Sequence, residues 1–263
     1  MGPAPRRGPV SALGRAGGQH ARLVRARRPG RGAVSVPRAE QAAGDALGPV
    51  LDAYLAAILA PDGPRAWATI RDALAAGADP RALYLDVLAP AMVEVGRLWE
   101  TARIGVAQEH LATQITQTVL ARLAPELEED PTALPGRTAV VAGTPGELHA
   151  IGARMVADFL EAAGWEVLFV GPDAPGADIV DLAARRRPDV VALSTALAAN
   201  VLAAGRVFAA LRRLQPPPLI AAGGRAYDGD RARALVAGAD IYAADPSLLL
   251  AELALALDGP SAP

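Results

Sequence analysis

A glutamate and a histidine two residues apart, Glu147 and His149, are the residues of this chain best suited to holding a metal. The carboxylate could hold one ring nitrogen and so direct the other, neutral nitrogen onto a metal ion. The chain has no cysteine and only two other histidines, His20 and His110, so a metal site made from protein side chains alone is not expected. One histidine suffices if the metal arrives already ligated in a plane, as in a tetrapyrrole-like macrocycle.

The residues just before this pair also fit a purely structural role. Thr144 and Glu147 have the spacing of a helix capping box, with Pro145 at the first helical position. Capping would account for all three of these residues but not for His149. A cap and an oriented imidazole both remain open on this pattern.

Two further segments carry small or polar residues, namely Ser194, Thr195 and Leu197 in one and Gly223 and Gly224 in the other. Because side chains are scarce there, the segments predict a slot that admits a flat heterocycle and its phosphate-linked tail, with a hydrogen bond from Ser194. A helix N-cap at Ser194 and a tight turn with positive φ at the glycines are the alternatives. Both segments and His149 are predicted to lie at the same edge of one sheet, and this favours the slot.

That edge belongs to a predicted parallel sheet. Short apolar runs alternate with helical periodicity, which predicts five βα units in the strand order 2-1-3-4-5, with helices on both faces. Such sheets bind ligands at the carboxyl ends of their strands, beside the topological switch point. We expect strands at 138–143, 166–170, 189–193, 218–222 and 241–243, and helices at 149–163, 176–187, 197–214, 229–238 and 246–257.

The chain before this α/β domain has helical periodicity only. The pattern predicts a four-helix bundle over 41–126. Its first, second and fourth helices are expected near 42–59, 64–76 and 105–123, and Pro90 should kink the third. An acidic, proline-bearing linker at 127–137 separates the bundle from the α/β domain at 138–259. In the third helix apolar residues recur at spacings of three and four: Tyr84, Leu88, Met92, Val95 and Trp99.

Composition excludes several classes of protein. Hydrophobic residues make up 52% of the chain and charged residues 21%, so burial can offset the entropy of folding. The absence of lysine excludes Schiff-base chemistry and a P-loop. The longest uncharged run, 190–205, is too short and too polar to cross a membrane, and we expect a cytoplasmic protein.

Residues 1–40 form a basic segment with nine arginines and a single acidic residue, Glu40. Many glycines and prolines and no apolar periodicity predict disorder. Three interpretations remain open: a solvated tail or an over-extended start of the chain, an arm that contacts nucleic acid, or an arginine-rich targeting segment.

The motifs together resemble a known family. Glu147-x-His149-x-x-Gly152, Ser194 with Leu197, and Gly223-Gly224 are similar to the motifs of the cobalamin-binding domains of methionine synthase, mutases and corrinoid proteins, whose first motif is more often D-x-H-x-x-G. The helical half resembles their bundle-shaped cap, and the resemblance spans about residues 45–257.

The bundle carries a second and narrower resemblance. Trp99, followed after nine residues by Glu109 and His110, is similar to the W-x9-E-H signature of B12-dependent photoreceptors of the CarH and LitR type. The E-x-H pattern in place of D-x-H is also similar to theirs. For Trp99 and His110, packing within the bundle core is the alternative.

The resemblance implies cobalamin bound between the bundle and a flavodoxin-like, Rossmann-like domain. His149 would be the lower cobalt ligand, steadied by Glu147, with the displaced dimethylbenzimidazole base in the slot at Ser194 and the glycines. Trp99, Glu109 and His110 would cover the upper face, where an adenosyl group sits. The uncharged stretch of the fourth helix, from Thr113 to Thr118, suits a lid over an amide-fringed corrin.

The implied function is regulation rather than catalysis. We expect a protein, assembled as a homo-oligomer, that binds adenosylcobalamin and signals light-driven loss of the upper ligand to an unidentified partner protein. Glu100 stands where the best-known repressors have a histidine, so their bis-histidine photoproduct is not expected here unless His110 moves. Too few residues precede the bundle for their DNA-binding domain, so we do not expect direct DNA binding.

Three alternatives remain open on the sequence. Some related photoreceptors also hold a bilin such as biliverdin beside the cobalamin. A corrinoid carrier subunit of a methyltransferase or mutase system would use His149 but would not need Trp99, Glu109 or His110. An adaptor without a cofactor would be colourless.

Overall fold

The structure, a computed structural model, describes residues 38–127, 134–227 and 229–258. The predictions for residues 1–37 and for linker residues 128–133 lie outside this part of the chain. Within it, helices come first, and strands alternate with helices after residue 137.

The first half consists of helices. They are α1 (Arg38–Leu59), α2 (Gly63–Ala75), a continuous stretch of α3 (Pro80–Ala82), a π-helical segment (Leu83–Leu88) and α4 (Ala89–Glu100), and then α5 (Val106–Leu123). Asp62 and Asp79 begin α2 and α3, because each carboxylate accepts a hydrogen bond from a backbone N–H of the first turn. In the described residues no helix has the length and apolar character needed to span a bilayer.

The third helical stretch widens into its π-helical segment directly before Pro90. Proline lacks a backbone N–H and its ring crowds the preceding turn, so regular α-helical hydrogen bonding is interrupted there. Tyr84, Leu88 and Val95 are buried, as the apolar stripe predicts. The stripe does not continue to Trp99, which is 44% exposed.

The second half contains a five-stranded parallel sheet. Its strands are β1 (Thr138–Gly143), β2 (Glu166–Gly171), β3 (Val190–Ser194), β4 (Leu219–Gly223) and β5 (Ile241–Ala243), in the order β2-β1-β3-β4-β5. The predicted fold class and strand order are confirmed. Apart from Thr138 at the start of β1 and Ser194 at the end of β3, the central strands are apolar because helices cover both of their faces.

The covering helices are α6 (Ile151–Ala162), α7 (Gly176–Arg186), α8 (Val201–Leu211), α9 (Arg231–Val236) and α10 (Pro246–Asp258). Alternate side chains of each strand enter two different cores. Val141 and Ala192 face α6, α10 and the bundle in one continuous core, whereas Val140 and Leu193 face α7 and α8. The bundle is therefore packed on the α6 side of the sheet.

A buried polar contact joins the bundle to α6. The hydroxyl of Tyr84, in the π-helical segment, donates to Oδ2 of Asp158 at 2.9 Å, and its ring packs edge-on against Phe159. Arg154 also bonds to Asp158, whose side chain has no solvent exposure. Burial raises the pKa of Asp158 despite these partners, so the contact is costly to break.

We expect Tyr84→Phe to lower the free energy of unfolding by about 1–2 kcal/mol, because Asp158 then loses a buried donor while the ring remains in place. Urea unfolding followed by circular dichroism measures this change. Thr118→Ala removes a hydroxyl that bonds only within exposed helix surface, and it should cost less than about 0.5 kcal/mol. Equal effects of the two substitutions would contradict a stabilising role for the Tyr84–Asp158 contact.

Candidate functional site

Three strand ends form one edge of the sheet. Gly143 of β1 pairs with Ser194 of β3, and Ser194 pairs with Gly223 of β4, so the loops that follow leave the sheet side by side. This edge is the one at which parallel α/β sheets bind ligands. It carries the predicted residues of the α/β domain.

The loop after β1 differs from the predicted helix start. Helix α6 begins at Ile151 rather than near residue 149, and its N-cap, Ala150, makes no side-chain hydrogen bond. The capping box is not formed, because the Thr144 hydroxyl pairs with the hydroxyl of Thr195 at 2.7 Å. Glu147 and His149 are therefore loop residues, and the carboxylate is free to bond elsewhere.

The Glu147 carboxylate is fully buried and holds His149. Its Oε1 accepts a hydrogen bond from the Nδ1 of the imidazole, and its Oε2 bonds to the loop after β3. Burial by itself raises the pKa of Glu147, but hydrogen bonds from His149, Leu197, Ala196 and Asn200 outweigh burial and lower it to about 2. The carboxylate is therefore ionised at neutral pH.

The imidazole of His149 is partly accessible to solvent, with its side chain 44% exposed. Its hydrogen bond with Glu147 raises its pKa, against the opposing effects of burial and of the Arg225 charge. With Nδ1 donating to the carboxylate, Nε2 is the ring nitrogen available to a ligand. This is the arrangement of an oriented metal-binding histidine.

The predicted slot lies next to this histidine. A Cβ at Gly152 would lie 3.2 Å from the Oγ of Ser194, so a small residue is needed where α6 passes the end of β3. Ser194 is half-buried and caps no helix, since the following 3-10 segment and α8 have Leu197 and Asn200 at their N-caps. The helix-cap alternative for Ser194 is therefore wrong.

The glycines have a structural reason of their own. Gly224 has a φ of +101°, and a Cβ there would lie 2.3 Å from the carbonyl oxygen of Thr195. A Cβ at Gly223 would lie 2.9 Å from the carbonyl oxygen of Ala243. The tight turn therefore requires these glycines whether or not a ligand is bound.

The predicted bundle residues lie at its surface. Trp99 is the penultimate residue of α4 and is 44% exposed, and the side chain of His110, near the start of α5, is 71% exposed. Glu109 is less exposed, and its carboxylate bonds to the Nδ1 of His110 at 2.6 Å and to the hydroxyl of Thr113. The core-packing alternative for Trp99 and His110 is therefore wrong.

The uncharged stretch of α5 has residues in two environments, the interior of the bundle and its surface. Thr116 is buried in the bundle, where it accepts a hydrogen bond from Tyr54 at 3.0 Å and donates to the carbonyl of Ala112. Thr118 is exposed and bonds back to the carbonyl of Gln114. The expected lid is thus wrong for Thr116, which stabilises the interior of the bundle instead.

Arg225 was missed, because an arginine after a glycine turn forms no motif. Its guanidinium lies 3.9 Å from the carboxylate of Glu100 and beside Gly96, so the loop after β4 reaches α4. The charges of Arg225 and Glu109 both act on the imidazole of His149. The loop after β4 therefore lies next to the bundle at this edge of the sheet.

The number of side chains available as ligands determines which kind of metal centre the site can hold. In the part of the chain that the structure describes, no group of three or more His, Cys, Asp or Glu side chains could hold a metal ion. A free ion would need at least three or four such ligands. A cobalt centre ligated in its own macrocycle needs one nitrogen from the protein, which His149 can supply.

Comparison with known families agrees with this donor set. The B12 binding domain family matches residues 137–251, and a second B12 binding domain family matches residues 50–124. The two matches cover the α/β domain and most of the helical bundle. The chain therefore belongs to the B12-binding-domain proteins.

Two kinds of curated relative are similar to the chain. It is 36% identical over 144 residues to the HTH-type transcriptional repressor CarH of Myxococcus xanthus, across 55% of this chain and 46% of the repressor. It is 30% identical over 132 residues to Trimethylamine corrinoid protein 1 of Methanosarcina acetivorans, across 50% of this chain and 61% of that protein. The chain thus spans roughly half the length of these relatives.

A solved structure shows the same fold. The Methanosarcina barkeri monomethylamine corrinoid protein aligns with a TM-score of 0.68 and 22% identity, covering 80% of this chain and 99% of that chain. At this identity the likeness concerns the fold alone. Cobalt ligation by His149 stays a prediction.

The turn after β4 can be tested by two glycine substitutions. We expect Gly224→Ala to lower the free energy of unfolding by more than about 3 kcal/mol, because the new Cβ meets a backbone oxygen that cannot move aside. Gly77→Ala is the matched control, since Gly77 also has positive φ but open space around it, and it should cost only about 1–2 kcal/mol. Similar losses from both substitutions in urea unfolding would contradict the close approach of Gly224 to Thr195.

Proposed function

We propose that this protein is a cobalamin-binding light sensor, a regulatory protein rather than an enzyme. The observation that carries the proposal is the set Trp99, Glu109 and His110 at the surface of the bundle, together with the charge of Glu109 acting on the oriented His149 of the sheet edge. A protein that only held cobalamin from below would not need these three side chains.

The residues have distinct roles in this proposal. His149 would hold cobalt through Nε2, and Glu147 would keep the ring in position. Gly152 and Ser194 border the slot for the nucleotide tail, together with the edge residues Thr195, Leu197, Gly223 and Gly224. Trp99, Glu109 and His110 would contact the adenosyl group.

Adenosylcobalamin, when bound, supplies a cobalt–carbon bond that visible light breaks. The chain would detect the loss of the adenosyl group through contacts that are made only while that group is bound. Trp99 and the Glu109–His110 pair would hold the bundle against the edge of the sheet while they contact the adenosyl group. Beside them, the exposed pair Arg225 and Glu100 is a weak link between the loop after β4 and α4, so the bundle could shift there once the adenosyl group is lost.

We further propose that the shift of the bundle is read by another protein, or by a second copy of this chain in a homo-oligomer. The similarity to the repressor CarH supports a regulatory output. Glu100, beside Trp99, has no nitrogen to offer in place of a histidine, so a bis-histidine state would require His110 to move.

The second candidate is a corrinoid carrier subunit. It is favoured by the similarity to Trimethylamine corrinoid protein 1 and by the shared fold of the monomethylamine corrinoid protein. A carrier presents its upper face to partner enzymes. It therefore has no requirement for an adenosyl group or for a particular upper-face tryptophan.

Adding adenosylcobalamin in darkness, desalting and recording the visible spectrum before and after illumination tests the proposal. We expect retained colour, a spectral change on illumination and a changed elution volume in size-exclusion chromatography. Trp99→Ala should abolish the size change while leaving the cofactor bound. Retention of methyl- and adenosylcobalamin alike, without any light-dependent size change, would support the carrier and contradict the sensor.

The lower ligand is tested by His149→Ala. We expect the bound cofactor to lose nitrogen ligation by the protein, with affinity at least about tenfold weaker, because the remaining carboxylate cannot replace the imidazole. Arg71→Ala, on the exposed surface of α2, should bind as the unmodified chain does. An unchanged spectrum of His149→Ala would show that the ligand is assigned wrongly.

A further inference from the structure

A cavity of about 540 Å³ lies at the amino ends of β3 and β4, the opposite edge of the sheet from His149. Its lining includes Asp189, directly before β3, and Leu219, the first residue of β4. The end of α7, the turn after α8 and Leu257 of α10 form the rest of its wall. Because β3 is five residues long, the two edges are about 16 Å apart. A ligand here would not compete with a cofactor at the carboxyl edge.

The floor of this cavity is apolar. Leu214 and Leu257 contribute aliphatic side chains. Four further lining residues are prolines, which have no backbone N–H to donate, namely Pro188, Pro216, Pro217 and Pro218. Proteins hold phosphate and other small anions largely through backbone N–H groups, so this floor does not suit an anion alone. It suits an apolar side chain of a ligand.

The acidic groups beside the cavity already have partners. Asp189 accepts a hydrogen bond from Nη1 of Arg137 and another from a backbone N–H of β1, both at 2.8 Å. Asp240 likewise bonds to Arg212 of the cavity wall and to a backbone N–H of β4. Each carboxylate therefore has one arginine and one backbone donor of its own.

Arg187, on the cavity wall, has no such partner. Within the described ranges 38–127, 134–227 and 229–258, it forms no ion pair, and neither do Arg185 in the last turn of α7 and Arg213 after α8. All three are exposed. A guanidinium binds a carboxylate through two parallel hydrogen bonds. The cavity thus combines an apolar floor with a rim that has unpaired positive charge.

The backbone of Arg187 makes its side chain more informative. It ends α7 in the left-handed region, with a φ of +47°, a position that glycine usually occupies because a Cβ is crowded there. A structural explanation is that the arginine interacts with the carbonyl groups at the end of α7. Replacing it by glycine would remove the charge and relieve the backbone, so this substitution separates a role in the helix end from a role in binding.

We propose that this cavity binds an acidic segment of a partner protein. An apolar side chain of that segment fills the proline floor, and its carboxylates pair with Arg187 and with the arginines beside it. A nucleic acid would pair its phosphates with the same arginines but would leave the apolar floor unfilled. The inference does not depend on cobalamin binding, so it can fail while the proposed function holds, and the reverse.

The first experiment adds a fluorescein-labelled peptide, acetyl-Glu-Asp-Leu-Leu-Glu-Asp-amide, to the full chain. We expect saturable binding in fluorescence anisotropy. A peptide with serine in place of both leucines should bind at least about tenfold more weakly, because the apolar floor is then unfilled. No saturable binding would overturn the proposal. Equal affinity for the two peptides would also overturn it, since the arginines of residues 1–40 could then bind by charge alone.

The second experiment uses variants of Arg187. We expect Arg187→Gly to weaken binding of the leucine peptide at least about fivefold without lowering the midpoint of urea unfolding, because glycine adopts positive φ without strain. Unchanged binding with a lower midpoint would show that Arg187 acts only at the end of the helix, and it would overturn the proposal.

A matched pair of variants covers the case in which Arg187→Gly does not fold. Arg187→Gln keeps a polar side chain of similar length and should also weaken binding of the leucine peptide. Arg206→Gln removes another exposed arginine, which lies in the groove between α7 and α8 away from this cavity, and it should bind as the unmodified chain does. Equal binding by the two variants would overturn the assignment to this cavity.

Two further outcomes decide between ligands and between sites. Amide NMR signals of Ala183 and Leu219 should shift when the peptide is added, and shifts confined to the loop of His149 would overturn the proposal. A fluorescein-labelled DNA duplex is the alternative ligand. Binding of the duplex that Arg187→Gln weakens, with no binding of the peptide, would assign the edge to nucleic acid and contradict a partner protein.

Discussion

One buried negative charge organises the carboxyl edge of the sheet. The Glu147 carboxylate has no contact with solvent, and an ion in such a place is stable only when donors surround it. Those donors come from two loops, so neither loop can move away without leaving the charge unpaired. This constraint accounts for a loop, rather than a first helical turn, at residues 147–150, and for an imidazole held in one orientation at the surface.

The bundle is joined to the α/β domain by a buried contact at one place and by an exposed contact at another. Tyr84 and Asp158 meet in a buried hydrogen bond within a continuous apolar core. Near the carboxyl edge of the sheet, Arg225 and Glu100 are about half exposed and 3.9 Å apart, and exposed pairs of this kind contribute little to stability.

Much of the fold was predictable, because the strands of a parallel sheet are apolar on both faces and stand out from the helical periodicity around them. The edge at which Glu147, His149 and Ser194 meet followed from that topology. Local roles were less predictable. Thr144 has capping-box spacing but bonds to Thr195, Thr116 belongs to an uncharged run but faces the bundle interior, and Trp99 continues an apolar stripe but is exposed. Spacing along the chain does not reveal which neighbour a side chain will meet.

The sequence alone determined the strand order, through periodicity, and the class of the protein, through the resemblance of its motifs to a known family; it also singled out His149 by residue type. The tertiary structure decided which groups surround that histidine. Asn200 and Arg225 lie 51 and 76 positions beyond His149 in the chain and carry no motif, yet both act at its site. The reason is physical: a buried charge is stabilised by whatever donors the fold brings within hydrogen-bonding distance, and only the folded chain places them there.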